Sequence, residues 1–178
     1  MRGGALQPPV EYLPDESVDP ELDEQLRNLL TTSYPEPDNA PFFERRYFRE
    51  PYRHRWVIRD PDGALVAHSG AHEKTVQAGG ARYAIGGIAE VCVHPAYRGR
   101  GYVHLMLGDV HRWLAERGFC FAVLFGDPRI YSSSGYLRVT NLSCGADRQG
   151  AERADAMVRP LGDLAWPEGA VFLAGPTF

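Results

Sequence analysis

No stretch of the chain approaches the roughly 18 consecutive apolar residues of a membrane-spanning helix, so no membrane partner is expected. The N-terminal segment MRGGALQPPVEYLPDES lacks the apolar core of a secretory signal, which predicts a cytoplasmic protein. Cysteine is scarce. Cys92, Cys120 and Cys144 are odd in number and far apart, so they read as free thiols rather than a disulfide framework, and no pair has zinc-finger spacing. His68, His72 and His94 lack a supporting carboxylate or cysteine pattern, so no metal is expected. Positive charge is not in excess either: the net charge is −4. That argues against nucleic acid, whose phosphates favour a basic face, and suits an amine-bearing partner. Repeats, low-complexity tracts and linkers are missing as well. What remains is 178 residues, 44% hydrophobic and 24% charged, an ordinary globular balance and enough for one domain, residues 1–178, with a sizeable core.

The elements can be read from pattern. VDPELDEQLRNLL predicts a first helix, with Asp19 as cap, Pro20 in the first turn and a stripe of Leu22, Leu26, Leu29 and Leu30. PFFERRYF predicts a second, shorter helix. RWVIRD and ALVAHSGAHEKTV flank a Pro-Asp-Gly turn and read as a hairpin. ARYAIGGIAEVCVHP reads as a long strand, where Gly86 and Gly87 suggest a bulge or a close approach by another backbone or a ligand. From Tyr102 the period becomes helical through Val103, Met106, Leu107, Val110 and Leu114, stopping at Gly118. FCFAVLF reads as a strand buried on both faces, DPRIYSSSGY as a short helix or turn, and DAMVRPL and GAVFLAGPTF as further strands. The order implies a mixed α/β (α+β) domain around a single sheet.

The chemistry concentrates in VCVHPAYRGRGYVHLML, residues 91–107. A strand runs into a loop, Arg98-Gly99-Arg100-Gly101-Tyr102-Val103, that opens a helix. Helix starts carry unpaired N–H groups and the positive end of the dipole. Glycines let that backbone approach a ligand, and Arg98 and Arg100 add formal charge. The combination suits a phosphate or pyrophosphate. A nucleotide P-loop is excluded because Gly-Lys-Ser/Thr is absent, and a dinucleotide fingerprint because no glycine stands near His104.

Val91-x-Val93-x-Pro95 followed by Arg98-x-x-Gly101-x-Val103 resembles the acetyl-CoA motif of the GNAT superfamily of N-acetyltransferases, with Val103 where the family has a smaller residue. Tyr131-Ser-Ser-Ser-Gly135-Tyr136 resembles that family's Tyr-x-x-x-Gly-Phe/Tyr element. The resemblance implies a largely antiparallel mixed sheet flanked by helices, with a splayed central strand pair. It implies acetyl-CoA as co-substrate and transfer of its acyl group to a small-molecule primary amine without an acyl-enzyme. Val91, Cys92 and Val93 would hold the pantetheine arm, and Arg98 through Val103 the pyrophosphate. Tyr131 would act as general acid toward the departing thiolate, a role its ordinary pKa near 10 allows. Shorter likenesses, WPEGAVFLAGP and VAHSG to the nodulation N-acyltransferases and the overall layout to aminoglycoside 2'-N-acetyltransferases, point to an amine on a sugar. Many members of the superfamily are dimers, so a homodimer is one assembly the resemblance allows.

A proton acceptor for the amine is harder to find. Family members often carry a Glu or His at the positions of Ala89 and Gly87, where this chain has neither. Glu90 is adjacent, but strand alternation turns it to the other face unless a bulge lies between 89 and 91. His68 shares a strand face with His72 and is a second candidate for the base. The carboxylate of Phe178 is a third, and water a fourth. His104 and His111 are expected to face solvent. Glu36, Asp38 and Glu44 are candidate contacts for a cationic acceptor. A non-catalytic acetyl-CoA-binding module of the same fold is the alternative to an enzyme. Cys92 is not expected to be a nucleophile, because its strand should carry the coenzyme arm.

Overall fold

The computed structural model describes residues 7–178. Residues 1–6, part of the N-terminal segment and of the domain span considered above, lie outside the described residues. Among the described residues ten strands form one mostly antiparallel sheet. Strand β1 (Val10–Pro14) pairs with β2 (His54–Arg59), which pairs with β3 (Leu65–Ala78). Strand β3 is long enough to hold β4 (Ala81–Val93) along one side, while β2 and then β10 (Val171–Ala174) share its other side. Beyond β4 come β5 (Phe121–Leu124), β9 (Ala156–Pro160) and β6 (Leu137–Val139). Strands β7 (Leu142–Gly145) and β8 (Glu152–Arg153) extend the sheet past β10. Two contacts are parallel, β4 with β5 and β10 with β7.

Two helices cover opposite faces. Helix α1 (Pro20–Ser33) starts where the Leu22 N–H donates to the Asp19 carboxylate at 2.8 Å, and Pro20 costs nothing at a position with no N–H partner. Its Leu26, Leu29 and Leu30 bury against Val57, Leu65 and Cys92. Helix α2 (Tyr102–Glu116) places Met106, Leu107, Val110 and Leu114 against Trp56, Ile58 and Val66. Residues 56, 57 and 58 thus alternate between the two cores, the period-2 pattern of a strand sandwiched by helices.

Three local expectations are corrected. The segment 41–48 is not a helix: a single 3-10 turn, Ala40–Phe43, forms and then stops. Arg46 leaves the helical path to bridge Asp15 at 2.9 Å and Asp23 at 2.7 Å, and Arg27 Nη1 donates to the Phe43 carbonyl at 2.9 Å. Gly86 and Gly87 make no bulge, because β3 pairs with them in unbroken register. They are glycine because side chains cover them: a Cβ would stand 2.4 Å from Leu114 at Gly86 and 2.7 Å from the Phe178 ring at Gly87. His111 does not face solvent. It is buried on α2, with Nε2 and the Tyr136 hydroxyl hydrogen-bonded at 2.7 Å. Burial pushes its pKa down to about 3, so the ring is neutral.

Candidate active site

The site opens where β4 and β5 part. Their pairing covers only Ile85, Gly86 and Gly87 against Phe121, Ala122 and Val123. Past that point β4 continues to Val93 and β5 ends at Leu124, so the backbone of residues 88–93 has no strand partner on the β5 side. An edge of this kind accepts an extended ligand as an added strand.

Residues 91–93 and 98–103 are brought together along one cleft of about 490 Å3, with Ser33, Tyr34, Ile130 and Tyr131 on its remaining walls. Gly99 and Gly101 have φ of 76° and 77°, values a side chain would resist. Gly101 stands at the N-cap of α2 with no side-chain cap, leaving the first-turn N–H groups to an outside acceptor. Arg98 lines the cleft, yet it is partly committed: it donates to the Ser33 carbonyl at 2.8 Å and the Val93 carbonyl at 3.2 Å, tying α1 to β4. Arg100 stacks over Tyr97 at 4.7 Å.

A second cavity, of about 320 Å3, lies on the other side of the strand gap and is lined by Ile88 to Val91, Leu124, Phe125 and Tyr131 among others. Tyr34, Val91 and Tyr131 line both spaces. The Tyr34 hydroxyl donates to the Val91 carbonyl at 3.1 Å. Tyr131 closes α3 (Pro128–Tyr131), whose N-cap Asp127 accepts from the Arg129 N–H. Gly126 makes room for it, since a Cβ there would lie 2.5 Å from the tyrosine ring. Burial, with a smaller push from Cys92, raises the Tyr131 pKa to about 12. It is a protonated donor at neutral pH.

Glu90 is turned by a bulge. The β3–β4 register runs from His68↔Cys92 to Gly70↔Ala89, so Ser69 alone faces both Glu90 and Val91. Glu90 has φ of 43°, the only positive φ at a non-glycine position among the described residues, and strain of this kind points to function. The extra residue brings Glu90 to the wall of the smaller cavity. Its Oε2 is buried without a hydrogen-bond partner. Burial pushes the carboxyl pKa up to about 7, against the downward pull of the Tyr52 hydroxyl, the Phe48 N–H and the Arg55 guanidinium.

His68 is not brought into this group. It is fully buried behind the bulge and lines neither space. Its Nδ1–H donates to the Glu90 carbonyl at 2.8 Å, since a carbonyl can only accept. Burial, and after it Arg55, lowers its pKa to about 3. His72 packs edge-on against Tyr52, 5.3 Å between ring centroids. Of the three acidic residues in the 36–44 segment, Asp38 lines the cavity, while Glu36 and Glu44 do not. Cys92 is buried, with its thiol pushed up to about 12, far from a nucleophilic thiolate at neutral pH.

Several contributors escape a sequence reading. Tyr34 follows the end of α1, Tyr52 sits between strands, and Phe42, Phe48 and Phe125 come from three separate segments. Only Gly70 hints at Tyr52: a Cβ there would meet the tyrosine ring at 2.4 Å.

A parallel strand pair thus splays beside a glycine-rich helix start, with a tyrosine where the two clefts meet. The chain belongs to the acetyltransferase (GNAT) domain family, whose model matches residues 17–139. Solved structures share the fold. A GNAT family N-acetyltransferase from Escherichia coli, in complex with CoA, superposes with a TM-score of 0.71 at 21% identity, over 97% of this chain and 91% of that one. A GNAT family acetyltransferase from Brucella melitensis, in complex with acetyl-CoA, gives 0.58 at 17% identity, over 93% and 96%. Eis1 from Mycobacterium abscessus gives 0.58 at 18% identity, over 74% of this chain and 31% of that one. No curated protein matches the chain.

Proposed function

We propose that this enzyme transfers the acetyl group of acetyl-CoA to a primary amine of a small molecule by direct attack, within one domain spanning the sheet. The observation that carries the reading is the meeting of the two spaces at Tyr131 and Val91, with an orphaned carboxylate oxygen of Glu90 on the acceptor side. The CoA and acetyl-CoA complexes of the Escherichia coli and Brucella melitensis proteins support the choice of donor.

In this reading the cleft along 91–93 and 98–103 takes the coenzyme, with the pantetheine arm against the unpaired edge of β4 and the pyrophosphate at the N–H groups that open α2. Glu90, ionised, accepts a proton from the incoming ammonium. The freed amine nitrogen bonds to the thioester carbon, main-chain N–H groups of β4 stabilise the charge that develops on the carbonyl oxygen, and the nitrogen, now cationic with two hydrogens, gives one of them to solvent water. As the C–S bond breaks, Tyr131 gives its hydroxyl proton to sulfur. Exchange with solvent then resets both residues. His68 acts behind the site, its Nδ1–H holding the carbonyl of the bulged residue.

The test is thiol release from acetyl-CoA with a panel of primary amines, for the wild type, Glu90→Gln and Tyr131→Phe. Amine-dependent release that both substitutions suppress is expected. Binding of the coenzyme with no release for any amine would contradict the reading.

A further inference from the structure

We propose that the acceptor is a compact primary amine carried on an apolar or aromatic body, and not an amino sugar. The proposal rests on the acyl-transfer reading above. The smaller cavity, about 320 Å3, sits at the low end of ligand sites, which typically span about 300–1,000 Å3. Phe42, Phe48, Phe125 and Phe178 dominate its wall, with Ile88 and Leu124 beside them. They come from segments far apart in the chain, so the aromatic lining is a product of the fold.

Charge on the wall is of one sign. Asp38 and Glu90 are its acidic residues, and among the described residues no Lys, Arg or His lines it. Two basic side chains stand behind the lining: Lys74, 5.9 Å from the Phe178 ring, is engaged by Glu50, and Arg49, 5.0 Å from the Phe48 ring, donates to Thr177. The two carboxylates that face the space attract a cationic amine. Asp38 is exposed and Glu90 lies inside, so the ammonium meets a carboxylate on entry and another at the reacting centre.

The polar groups on the wall are the Asp38 and Glu90 carboxylates, the Tyr34, Tyr131 and Thr177 hydroxyls and the main chain of 88–91. The Tyr34 hydroxyl is spent on the Val91 carbonyl, and the Thr177 hydroxyl accepts from Arg49 Nη1 at 2.5 Å. A sugar ring would have to re-pair several hydroxyls with this set while the four phenylalanine rings offer it nothing, and each hydroxyl left unpaired is costly. An aliphatic or aryl body loses nothing of the kind and gains burial and ring contacts. The Phe178 ring fixes the depth of the cavity: it rests on Gly87 and stands 4.9 Å from the Phe125 ring.

The experiment compares kcat/KM for 2-phenylethylamine, n-hexylamine and glucosamine in the thiol-release assay, for the wild type, Phe48→Ser and Asp38→Asn, with acetyl-CoA binding measured in parallel. The expected result is a preference for the apolar amines of about tenfold or more. Phe48→Ser should shrink that preference, and Asp38→Asn should raise KM severalfold, with coenzyme binding unaltered in both. Glucosamine equal to or better than the apolar amines overturns the acceptor proposal and leaves acyl transfer standing. Coenzyme binding without release for any amine overturns acyl transfer, and the acceptor proposal with it.

Discussion

At the level of single residues, Glu90 carries two opposed demands. As the proposed base it must be ionised, yet its surroundings disfavour the charge and raise its pKa to about 7. Activity should therefore climb as pH rises through about 7, and Tyr131, protonated to about 12, should impose no fall in the usual assay range. A pH profile of kcat/KM that is flat from 5.5 to 8.5 would contradict this. Glu90→Gln should abolish the rise and lower the rate by about a hundredfold or more. The same substitution should stabilise the fold. A carboxyl whose folded pKa is raised holds its proton more tightly when folded, so stability is greatest below its unfolded value and falls as pH rises toward the folded pKa. At pH 8 the ionised side chain costs on the order of 3 kcal/mol, which urea unfolding of Glu90→Gln should recover in large part. Tyr131→Phe removes a proton donor but little volume. Turnover should fall by about a hundredfold while calorimetry finds coenzyme affinity within about twofold of wild type. Equal loss of both would sink the assigned role.

At the level of elements, β4 shows what a sequence can and cannot reveal. Its extent, the loop after it and the period of α2 are local, and residues 91 to 114 were legible for that reason. The bulge was not. Whether Glu90 faces the cleft depends on Ser69 alone standing opposite two residues of β4, a property of pairing rather than of either strand. The glycines of β4 were noticed, but what covers them, Leu114 and Phe178, lies far along the chain. The same logic applies to Gly70 on β3, where the Tyr52 ring leaves no room for a methyl group. Gly70→Ala should cost about 1–3 kcal/mol by overpacking. It should also move the acid limb of the pH profile upward, because displacing Tyr52 removes a group that draws the Glu90 pKa down. Thermal unfolding and the profile measured together would check both effects, and an unshifted limb would detach Tyr52 from the tuning of Glu90.

At the level of the whole molecule, the family and the larger cleft were within reach of sequence motifs, and the smaller cavity was not. The cleft proposed for the coenzyme is built largely from residues 91–103. The cavity proposed for the acceptor gathers residues from 34 to 48, 88 to 91, 124 to 131 and 177 to 178, and no local pattern announces such a gathering. Both spaces depend on one architectural fact, that β4 and β5 pair over three residues and then separate. In the reading proposed above, the gap and the glycine-rich helix start together hold acetyl-CoA. Its most direct test is calorimetric titration of acetyl-CoA into the wild type and Gly101→Asp at two salt concentrations. The account predicts saturable, salt-sensitive binding to the wild type that is lost in Gly101→Asp, where a carboxylate and a strained positive φ replace the bare N-cap. No binding to the wild type, or equal binding by both proteins, would contradict it.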